Sequence, residues 1–189
     1  RLWQAELSTR SAPFLADHRV FERTVVSGAC YVALVLDVGL RQLGAAACEL
    51  RDVVFERALH IPDAASVRVQ LVLEPLPAEA PLVPATERSN GAGPPPPQLE
   101  RFAFRFISIP AGARADAFVQ HAEGVLELLA PPSGVPSVEL ESLLARCPEP
   151  LEVDAFYAEQ SSRRIELGHS YRWLRALRRG QREAVAEMV

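Results

Sequence analysis

The sequence contains no lysine, so all 20 of its basic residues are arginine, and 24 acidic residues outnumber them. The resulting formal net charge of −4 argues against a nucleic-acid binder, because such proteins carry a basic surface. No apolar run approaches the roughly 20 residues that cross a bilayer, and the first residues, RLWQAELSTR, do not have the form of a signal peptide. We therefore expect a protein without nucleic-acid or membrane partners.

Cysteine is also scarce, with only Cys30, Cys48 and Cys147 and no Cys-x-x-Cys pair. An odd number of widely spaced cysteines argues against both a disulfide framework and a zinc site. We expect three reduced thiols, a cytoplasmic location and no metal ion. The 189 residues, 49% of them hydrophobic, are enough for one ordinary domain with a substantial core.

Residues 27–44 are predicted to form the first helix, and a buried one. Ser27 is a good N-cap residue and Gly44 suits the C-terminal cap. In the run GACYVALVLDVGLRQLG, which follows Ser27, the strongly hydrogen-bonding side chains begin at Asp37, except for Tyr31. A helix that is apolar on all sides is typical of a core position.

Alternating apolar residues predict three half-buried strands. The segments are SVRVQLVLEP (66–75), RFAFRFISIP (101–110) and AFVQHAEGVLELL (117–129). Gly124 is a candidate β-bulge. The Pro-rich and Gly-rich residues 74–98 are predicted to form a long exposed loop, and residues 130–137 to close the first part of the fold.

Two short helices and a strand pair are predicted to follow. VELESLLARC (138–147) and EVDAFYAEQSSRRI (152–165) have helical patterns, the second with Asp154 as its cap. The last residues, 170–189, are predicted to form two strands joined by a turn at Arg179–Gly180. A buried helix with alternating strands indicates an α+β protein.

Residues 15–29, LADHRVFERTVVSGA, resemble the N-terminal active-site region of polyketide synthase dehydratase domains. The family pattern is H-x-x-x-G-x-x-x-x-P followed by Gly-Ala. His18 occupies the histidine position, and Gly28-Ala29 match the final pair. Glu22 stands in place of the family's glycine, and Ser27 in place of its proline.

A second resemblance lies in SRRIELGHSYRWLRALRRGQREAVAEM, residues 162–188. It is similar to the family segment that carries a Tyr-Gly-Pro-x-Phe motif. Gly168 matches, whereas Leu167, His169 and Tyr171 replace the tyrosine, proline and phenylalanine.

The resemblance implies a double hotdog fold, in which each half is a long helix wrapped by a curved antiparallel sheet. Residues 1–135 would be the N-terminal hotdog with His18, residues 136–152 the linker, and residues 153–189 the start of a second hotdog that is only partly present. The family's partner acid lies in a His-Pro-x-x-x-Asp region of that second hotdog. No such motif occurs in residues 1–189, and the length predicts a fragment.

The resemblance also implies a hydro-lyase that removes water from a 3-hydroxyacyl thioester. His18 would be the general base, because an imidazole is neutral near cellular pH and burial favours the neutral form. Amides at the start of helix 27–44 would receive the charge that develops on the thioester carbonyl. The predicted substrate-binding residues are Val26, Ser27, Gly28, Leu167, Gly168 and His169.

The same residues leave other activities open. A double-bond isomerase with His18 as the sole proton shuttle is favoured by the loss of the motif proline at Ser27. A pyran- or furan-forming relative and a catalytically silent scaffold are further alternatives. Acyl carrier protein, with its phosphopantetheine arm, and neighbouring synthase domains are the implied partners. The resemblance also implies a homodimer and no cofactor of the protein's own.

Structural roles are predicted for four further ionisable residues and for one basic stretch. Asp17 is predicted to be a surface or turn carboxylate pointing away from His18, and Glu22 to face solvent or pair with an arginine. His60 is predicted to lie in a loop or at a strand end, and His121 to be structural. The basic stretch RWLRALRRGQR is predicted to be a solvated hairpin, with docking of an acidic carrier protein as the alternative.

Overall fold

The structure is a computed structural model that describes residues 1–77, 100–110, 117–131 and 139–189. The predicted loop at 74–98 and the predicted boundary at 130–137 lie largely outside these residues. The chain forms two units, each assembled from separated stretches of sequence. The first unit comprises Arg1–Ala5, Gly28–Arg57 and Arg68–Ser133, and the second comprises Glu6–Ser27, Ala58–Val67 and Gly134–Val189.

Strands and short helices alternate along the described chain. In order they are β1 (Leu2–Leu7), a 3₁₀ helix (Pro13–Asp17), β2 (His18–Val20), β3 (Arg23–Thr24), α1 (Gly28–Asp37), a π-helical turn (Val38–Gln42), β4 (Ala47–Phe55), β5 (Val67–Pro75), β6 (Arg101–Ile109), β7 (Val119–Leu129), α2 (Leu140–Arg146), β8 (Glu149–Leu151), α3 (Val153–Ser162), β9 (Ile165–Leu167), a 3₁₀ turn (His169–Tyr171), β10 (Leu174–Arg179) and β11 (Ala184–Met188).

A five-stranded sheet in the order β1-β5-β6-β7-β4 provides most of the first unit. The predicted strands at 66–75, 101–110 and 117–129 are confirmed as β5, β6 and β7, and β6 pairs antiparallel with both neighbours. One face of β6 is buried through Phe102, Phe104 and Phe106. The period-two pattern of the sequence therefore points these rings into the core of this unit.

Helix α1 begins directly after Ser27, as predicted, and its last turn widens into the π-helical turn. Gly44 follows with a φ of 71°, the left-handed conformation expected of a helix-terminating glycine. Tyr31, Val35 and Val38 are buried in the core of the unit.

The prediction that this helix is buried on all sides is wrong for the described chain. Leu34 and Leu40 are 41% and 45% exposed. Because successive helical residues are rotated by about 100°, Ala29 and Ala33 lie on the side opposite Tyr31 and Val35, and both are exposed. The composition of the helix indicates that both faces are apolar, but it does not indicate which face the sheet of its own unit covers.

The predicted bulge lies opposite Gly124 and not at that residue. Gly124 pairs regularly with Phe104, whereas the register to β4 shifts between Arg51 and Val54. Strand β4 therefore carries the extra residue, with Asp52 at a φ of 51°. A Cβ on Gly124 would lie 2.7 Å from the Phe104 ring and 2.9 Å from the Arg51 carbonyl oxygen, so glycine is required there for space.

The second unit contains two three-stranded sheets, β3-β2-β9 and β11-β10-β8, together with α2 and α3. The two predicted helices and the predicted strand pair are confirmed. The capping role of Asp154 is wrong, because Glu152 holds the N-cap position in an extended conformation and Asp154 lies in the first turn. A carboxylate there is favoured by the helix dipole instead of by a capping hydrogen bond.

Cys30, Cys48 and Cys147 are not joined in disulfide bonds, and burial raises the pKa of the Cys48 thiol. Within the described ranges, no helix combines the length and the apolar character that a membrane crossing needs.

Candidate active site

Strand β2 brings the two motif regions together in the second unit. It is the central strand of its sheet, with β3 on one side and β9 on the other. In this register His18 lies opposite Leu167, and Val20 lies opposite Ile165. The histidine motif and the Leu167-Gly168 segment are therefore neighbours, although they are far apart in sequence.

The His18 imidazole is half-buried, and among the described residues one hydrogen bond holds it. Its Nδ1 lies 2.8 Å from the carbonyl oxygen of Val25. Because a carbonyl can only accept, Nδ1 donates this bond, so in the neutral form of the ring Nε2 is the nitrogen with the free lone pair. The amide of Val25 donates in turn to the His18 carbonyl at 3.0 Å. This reciprocal pair fixes the tautomer that a base needs.

The carbonyl that orients His18 belongs to a well-anchored segment. Val25 and Val26 are buried, and the amide of Val26 donates to the carbonyl of Leu59 at 2.9 Å. Val25 also forms a β-bridge with His60. The buried side chains and the backbone hydrogen bonds together hold the acceptor for His18 in one place.

Aromatic rings flank the imidazole. The ring centroid of Tyr171 lies 5.1 Å from that of His18. Trp173 stacks on Tyr171 at 6.0 Å, and Phe14 lies 6.5 Å from the same ring. Phe14 and Trp173 are about half exposed, so this group of rings forms an apolar surface beside the histidine.

Asp17 lies at the end of the first 3₁₀ helix and binds the backbone of the Gly168–Ser170 segment, a contact that the sequence did not predict. Its carbonyl accepts from the amide of Gly168 at 2.7 Å, and its carboxylate accepts from the amide of Ser170 at 2.9 Å. The hydrogen bond from the Ser170 amide holds the pKa of Asp17 below its usual value, with help from the Ser170 side chain and the His169 ring.

Gly168 has a steric reason to be glycine. A Cβ there would lie 2.4 Å from Oδ1 of Asp17, far inside contact distance. The φ of Gly168 is −79°, so glycine is required there because space is limited and not because the backbone is strained. Sequence reasoning missed Asp17, and the only signal for it was this glycine.

The other predicted site residues are distributed as follows. Val26 is buried, Ser27 and Leu167 are half-buried, and His169 is exposed in the second unit. Gly28 is the first residue of α1 and belongs to the first unit. A Cβ at position 28 would meet the Phe55 ring at 3.0 Å. The substrate-binding roles of these residues remain predictions.

Glu22 lies in the two-residue turn between β2 and β3. Val20 pairs with Arg23, and the turn residues Phe21 and Glu22 have φ values of 48° and 66°. Two positive φ values are characteristic of the turn type that favours glycine, which explains the glycine of the family pattern. Glu22 is exposed, as predicted, and its carbonyl accepts from the Arg19 guanidinium.

His121 and His60 do not join the site. His121 is buried in the first unit, with Nδ1 3.0 Å from the Arg57 carbonyl and Nε2 2.8 Å from the Ser108 hydroxyl. Its predicted structural role is confirmed. His60 is exposed at its bridge to Val25. In the part of the chain that is described, no group of three His, Cys, Asp or Glu residues could hold a metal ion.

The basic stretch at 172–182 is a hairpin in which most of the arginines have partners. Arg175 pairs with Glu187 at 3.1 Å and Arg179 with Glu149 at 2.7 Å. The guanidinium of Arg178 donates to the carbonyl of Cys147 at 2.9 Å. The predicted solvated hairpin is confirmed, and these pairs reduce the net positive charge that it offers to a carrier protein.

Two family models match the chain. One described as the polyketide synthase dehydratase domain matches residues 1–83, which include His18. One described as the polyketide synthase dehydratase N-terminal domain matches residues 136–189, which include Leu167 and Gly168.

Individual relatives agree with these matches. Polyketide synthase ThaG of Burkholderia thailandensis is 29% identical over 190 residues, which is 95% of this chain and 3% of that protein. A mycocerosic acid synthase-like polyketide synthase of Mycobacterium tuberculosis is 34% identical over 89 residues, covering 47% of this chain and 4% of that protein.

A solved structure, the dehydratase domain from the CurJ module of curacin polyketide synthase, is 29% identical with a TM-score of 0.77. The match covers 99% of this chain and 56% of that one, so the chain spans about half of the solved domain and a few per cent of the curated relatives. The predicted α+β double hotdog fold is thereby confirmed. The chain belongs to the family of polyketide synthase dehydratase domains.

Proposed function

We propose that this chain carries the base of a dehydratase active site in a modular polyketide synthase. The reaction is the removal of water from a 3-hydroxyacyl thioester to give an enoyl thioester. The observation that carries the proposal is the hydrogen bond from His18 Nδ1 to the Val25 carbonyl, because in the neutral form of the half-buried imidazole it places the basic lone pair on Nε2.

In this mechanism Nε2 of His18 removes the proton from the carbon next to the thioester. The carbon–oxygen bond to the hydroxyl then breaks, a carbon–carbon double bond forms, and the hydroxyl leaves as water after it receives a proton. Negative charge develops on the thioester oxygen during proton removal. The resemblance assigns the hydrogen bonds donated to that oxygen to amides at the start of helix 27–44, because helix N-termini favour negative charge.

The proton for the leaving hydroxyl requires an acid. Among the described residues, no carboxylate is hydrogen-bonded to the His18 imidazole, so the acid of the family pattern remains an expectation from the resemblance. The reaction is redox-neutral, and the proposed substrate is carried on the phosphopantetheine arm of an acyl carrier protein. Neighbouring synthase domains, a homodimeric state and a cytoplasmic location are part of the same proposal.

Ser27 favours a second candidate, the shift of an α,β double bond to the β,γ position. This reaction needs a base that moves one proton but no acid that expels water. Ser27 replaces the motif proline, a departure that the resemblance associates with such isomerases. The His18 tautomer suits both reactions, so the two candidates differ in the substrate on which His18 acts.

The test uses the full-length protein, its His18→Ala variant and a His60→Ala control, since His60 is an exposed histidine of the same unit. Each is incubated with a carrier-linked 3-hydroxyacyl thioester and with a 2-enoyl thioester in deuterated water. Loss of one water by wild type and the control, but not by His18→Ala, supports the dehydratase.

Other results would point elsewhere. His18-dependent deuterium uptake at the γ-carbon without loss of water would replace the dehydratase with the isomerase. Loss of water with a product that lacks vinylic protons would indicate ring closure. No change in either substrate would overturn both catalytic proposals and favour the scaffold.

A further inference from the structure

We propose that Asp17 is a positioning residue for His18, acting through the Gly168–Tyr171 segment. The proposal rests on the proposed function, since it assigns Asp17 a role in the reaction of His18. It does not make Asp17 a proton donor or acceptor toward substrate. Asp17 is instead expected to hold the segment whose aromatic ring lies against the imidazole.

The contact between Asp17 and the segment is made twice within three residues. The Asp17 carbonyl accepts from the Gly168 amide at 2.7 Å, and its carboxylate accepts from the Ser170 amide at 2.9 Å. One residue thus satisfies the backbone donors on both sides of His169. Hydrogen bonds to a charged carboxylate, such as the one from the Ser170 amide, are roughly twice as strong as those between neutral groups.

The local sequence of the segment is adapted to this contact. Gly168 leaves no space for a Cβ, which would lie 2.5 Å from Cγ of Asp17. The segment then turns through the 3₁₀ turn, in which the amide of Tyr171 donates to the Gly168 carbonyl at 3.0 Å. The position of the Tyr171 backbone therefore follows from the residues that Asp17 holds.

Tyr171 is the link to the reacting group. Its ring is inclined by 42° to the imidazole of His18 at a centroid distance of 5.1 Å. The hydrogen bond to Val25 restrains His18 at Nδ1 only, and leaves rotation about that contact open. The Tyr171 ring restricts this rotation, so Asp17, through the turn, helps to aim Nε2 of His18.

Two explanations of an Asp17 effect can be separated by substitution. If Asp17 acts by holding the turn, an amide oxygen in the same place can still accept from Ser170. If it acts by stabilising the positive charge that His18 gains, an uncharged side chain fails. The experiment therefore compares Asp17→Ala with Asp17→Asn in the full-length protein, with Glu183→Ala as a control for loss of an acidic residue elsewhere in this unit.

We expect Asp17→Ala to lower kcat by about 10- to 100-fold with little change in KM, because small displacements of a catalytic group have effects of this size. Asp17→Asn should recover most of the loss, and Glu183→Ala should match wild type. If Asp17→Ala keeps the wild-type kcat, or if Asp17→Asn is as slow as Asp17→Ala, the positioning role is overturned. Thermal unfolding of each variant identifies any loss that comes from misfolding.

A double-mutant cycle with Tyr171→Leu tests the route. If Asp17 acts through Tyr171, the two substitutions together should cost little more than the larger single effect. Independent, multiplying effects would contradict the route.

Proton and nitrogen chemical shifts of the His18 ring supply a readout that needs no turnover. They should move in Asp17→Ala and stay near wild type in Asp17→Asn. This readout survives if the protein proves to have neither activity, so failure of the positioning role and failure of the proposed function remain distinguishable. Unchanged His18 shifts in Asp17→Ala would overturn the positioning role alone.

Discussion

Glu22 adopts a backbone conformation that lowers the stability of the protein. Replacing Glu22 with glycine is predicted to restore that stability. With a φ of 66° in an exposed two-residue turn, it carries the steric penalty of a left-handed L-residue, about 1–2 kcal/mol. Glycine avoids this penalty but loses more entropy on folding. We therefore expect Glu22→Gly to raise the free energy of unfolding by about 0.5–1 kcal/mol, measured by urea denaturation.

Glu141→Gly is a matched control, for which the expected change in the free energy of unfolding has the opposite sign. Glu141 lies in the first turn of α2, where glycine removes helix propensity and a favourable charge. Glu141→Gly should lower the free energy of unfolding by about 1 kcal/mol. If both substitutions destabilise equally, backbone strain at Glu22 is not a significant cost.

Gly168 and Gly44 should respond differently to alanine. At Gly168 the new Cβ collides with the Asp17 carboxylate, so Gly168→Ala should displace the 3₁₀ turn and reduce kcat at least tenfold, the size of effect that small misplacements produce. At Gly44 a Cβ meets nothing within 4 Å, but φ is 71°. Gly44→Ala should cost about 1 kcal/mol of stability and leave kcat unchanged. Equal kcat values in the two variants would contradict the predicted effect at Gly168.

Asp17 should make stability depend on pH in the acid range. The Ser170 amide lowers the pKa of Asp17 in the folded state, so the unfolded chain binds its proton more readily. Its stabilising contribution is present above the unfolded pKa of about 3.9 and is lost as pH falls through the lower folded pKa. The difference in unfolding free energy between wild type and Asp17→Asn should therefore stay constant at neutral pH and shrink as pH falls below about 5. A difference that grows toward low pH would have the wrong sign.

At the scale of elements, Glu127 joins three strands of the first unit. Its carboxylate, on β7, pairs with Arg101 of β6 at 2.8 Å and with Arg51 of β4 at 3.0 Å. The Glu127 and Arg101 side chains are only 8% and 18% exposed, so removing the acid deprives a poorly solvated guanidinium of this carboxylate. Glu127→Ala should cost about 3 kcal/mol in urea denaturation.

The pair Glu149–Arg179 is the control, because both side chains are more than half exposed. Glu149→Ala should cost less than about 1 kcal/mol. Losses of similar size at the two sites would show that burial does not determine how much the Glu127 ion pairs stabilise the protein.

At the scale of the whole molecule, local patterns predicted the elements. Strands β5, β6 and β7 follow from alternation within single segments, and the β10–β11 pair follows from two such runs about a turn. Register and coverage were not predictable in this way. The bulge in β4 depends on which residue of β7 lies opposite, and the exposed face of α1 depends on where its sheet packs.

The candidate site was predictable from its motifs but not from its geometry. Resemblance placed His18 and Gly168 in one site, and the pairing of His18 with Leu167 puts His18 beside the end of β9, directly before Gly168. Nothing local indicates that the Val25 carbonyl sets the tautomer or that the Asp17 carboxylate reaches Ser170. Both contacts depend on the fold. Every residue has a backbone carbonyl, so the role of Val25 cannot be predicted from its residue type, and Asp17 and Ser170 lie in distant segments of the sequence.

Two histidines in different units allow stability and activity to be separated. His121 is 3% exposed, and its two nitrogens bond the Arg57 carbonyl and the buried Ser108 hydroxyl. His121→Ala leaves both partners unsatisfied beside a cavity and should cost about 2–4 kcal/mol of unfolding free energy.

His18→Ala should lose turnover but little stability, because His18 is the proposed base and its hydrogen bond to the Val25 carbonyl is worth about 1 kcal/mol. Urea denaturation and turnover of a carrier-linked 3-hydroxyacyl thioester, measured at a temperature where His121→Ala is still folded, check both expectations. The His121 variant should keep kcat within about threefold, because ΔΔG is not transmitted to chemistry while the native state is populated. A folded His121→Ala protein without turnover would give this histidine a part in the reaction, and a His18→Ala protein that unfolds would make His18 a core residue.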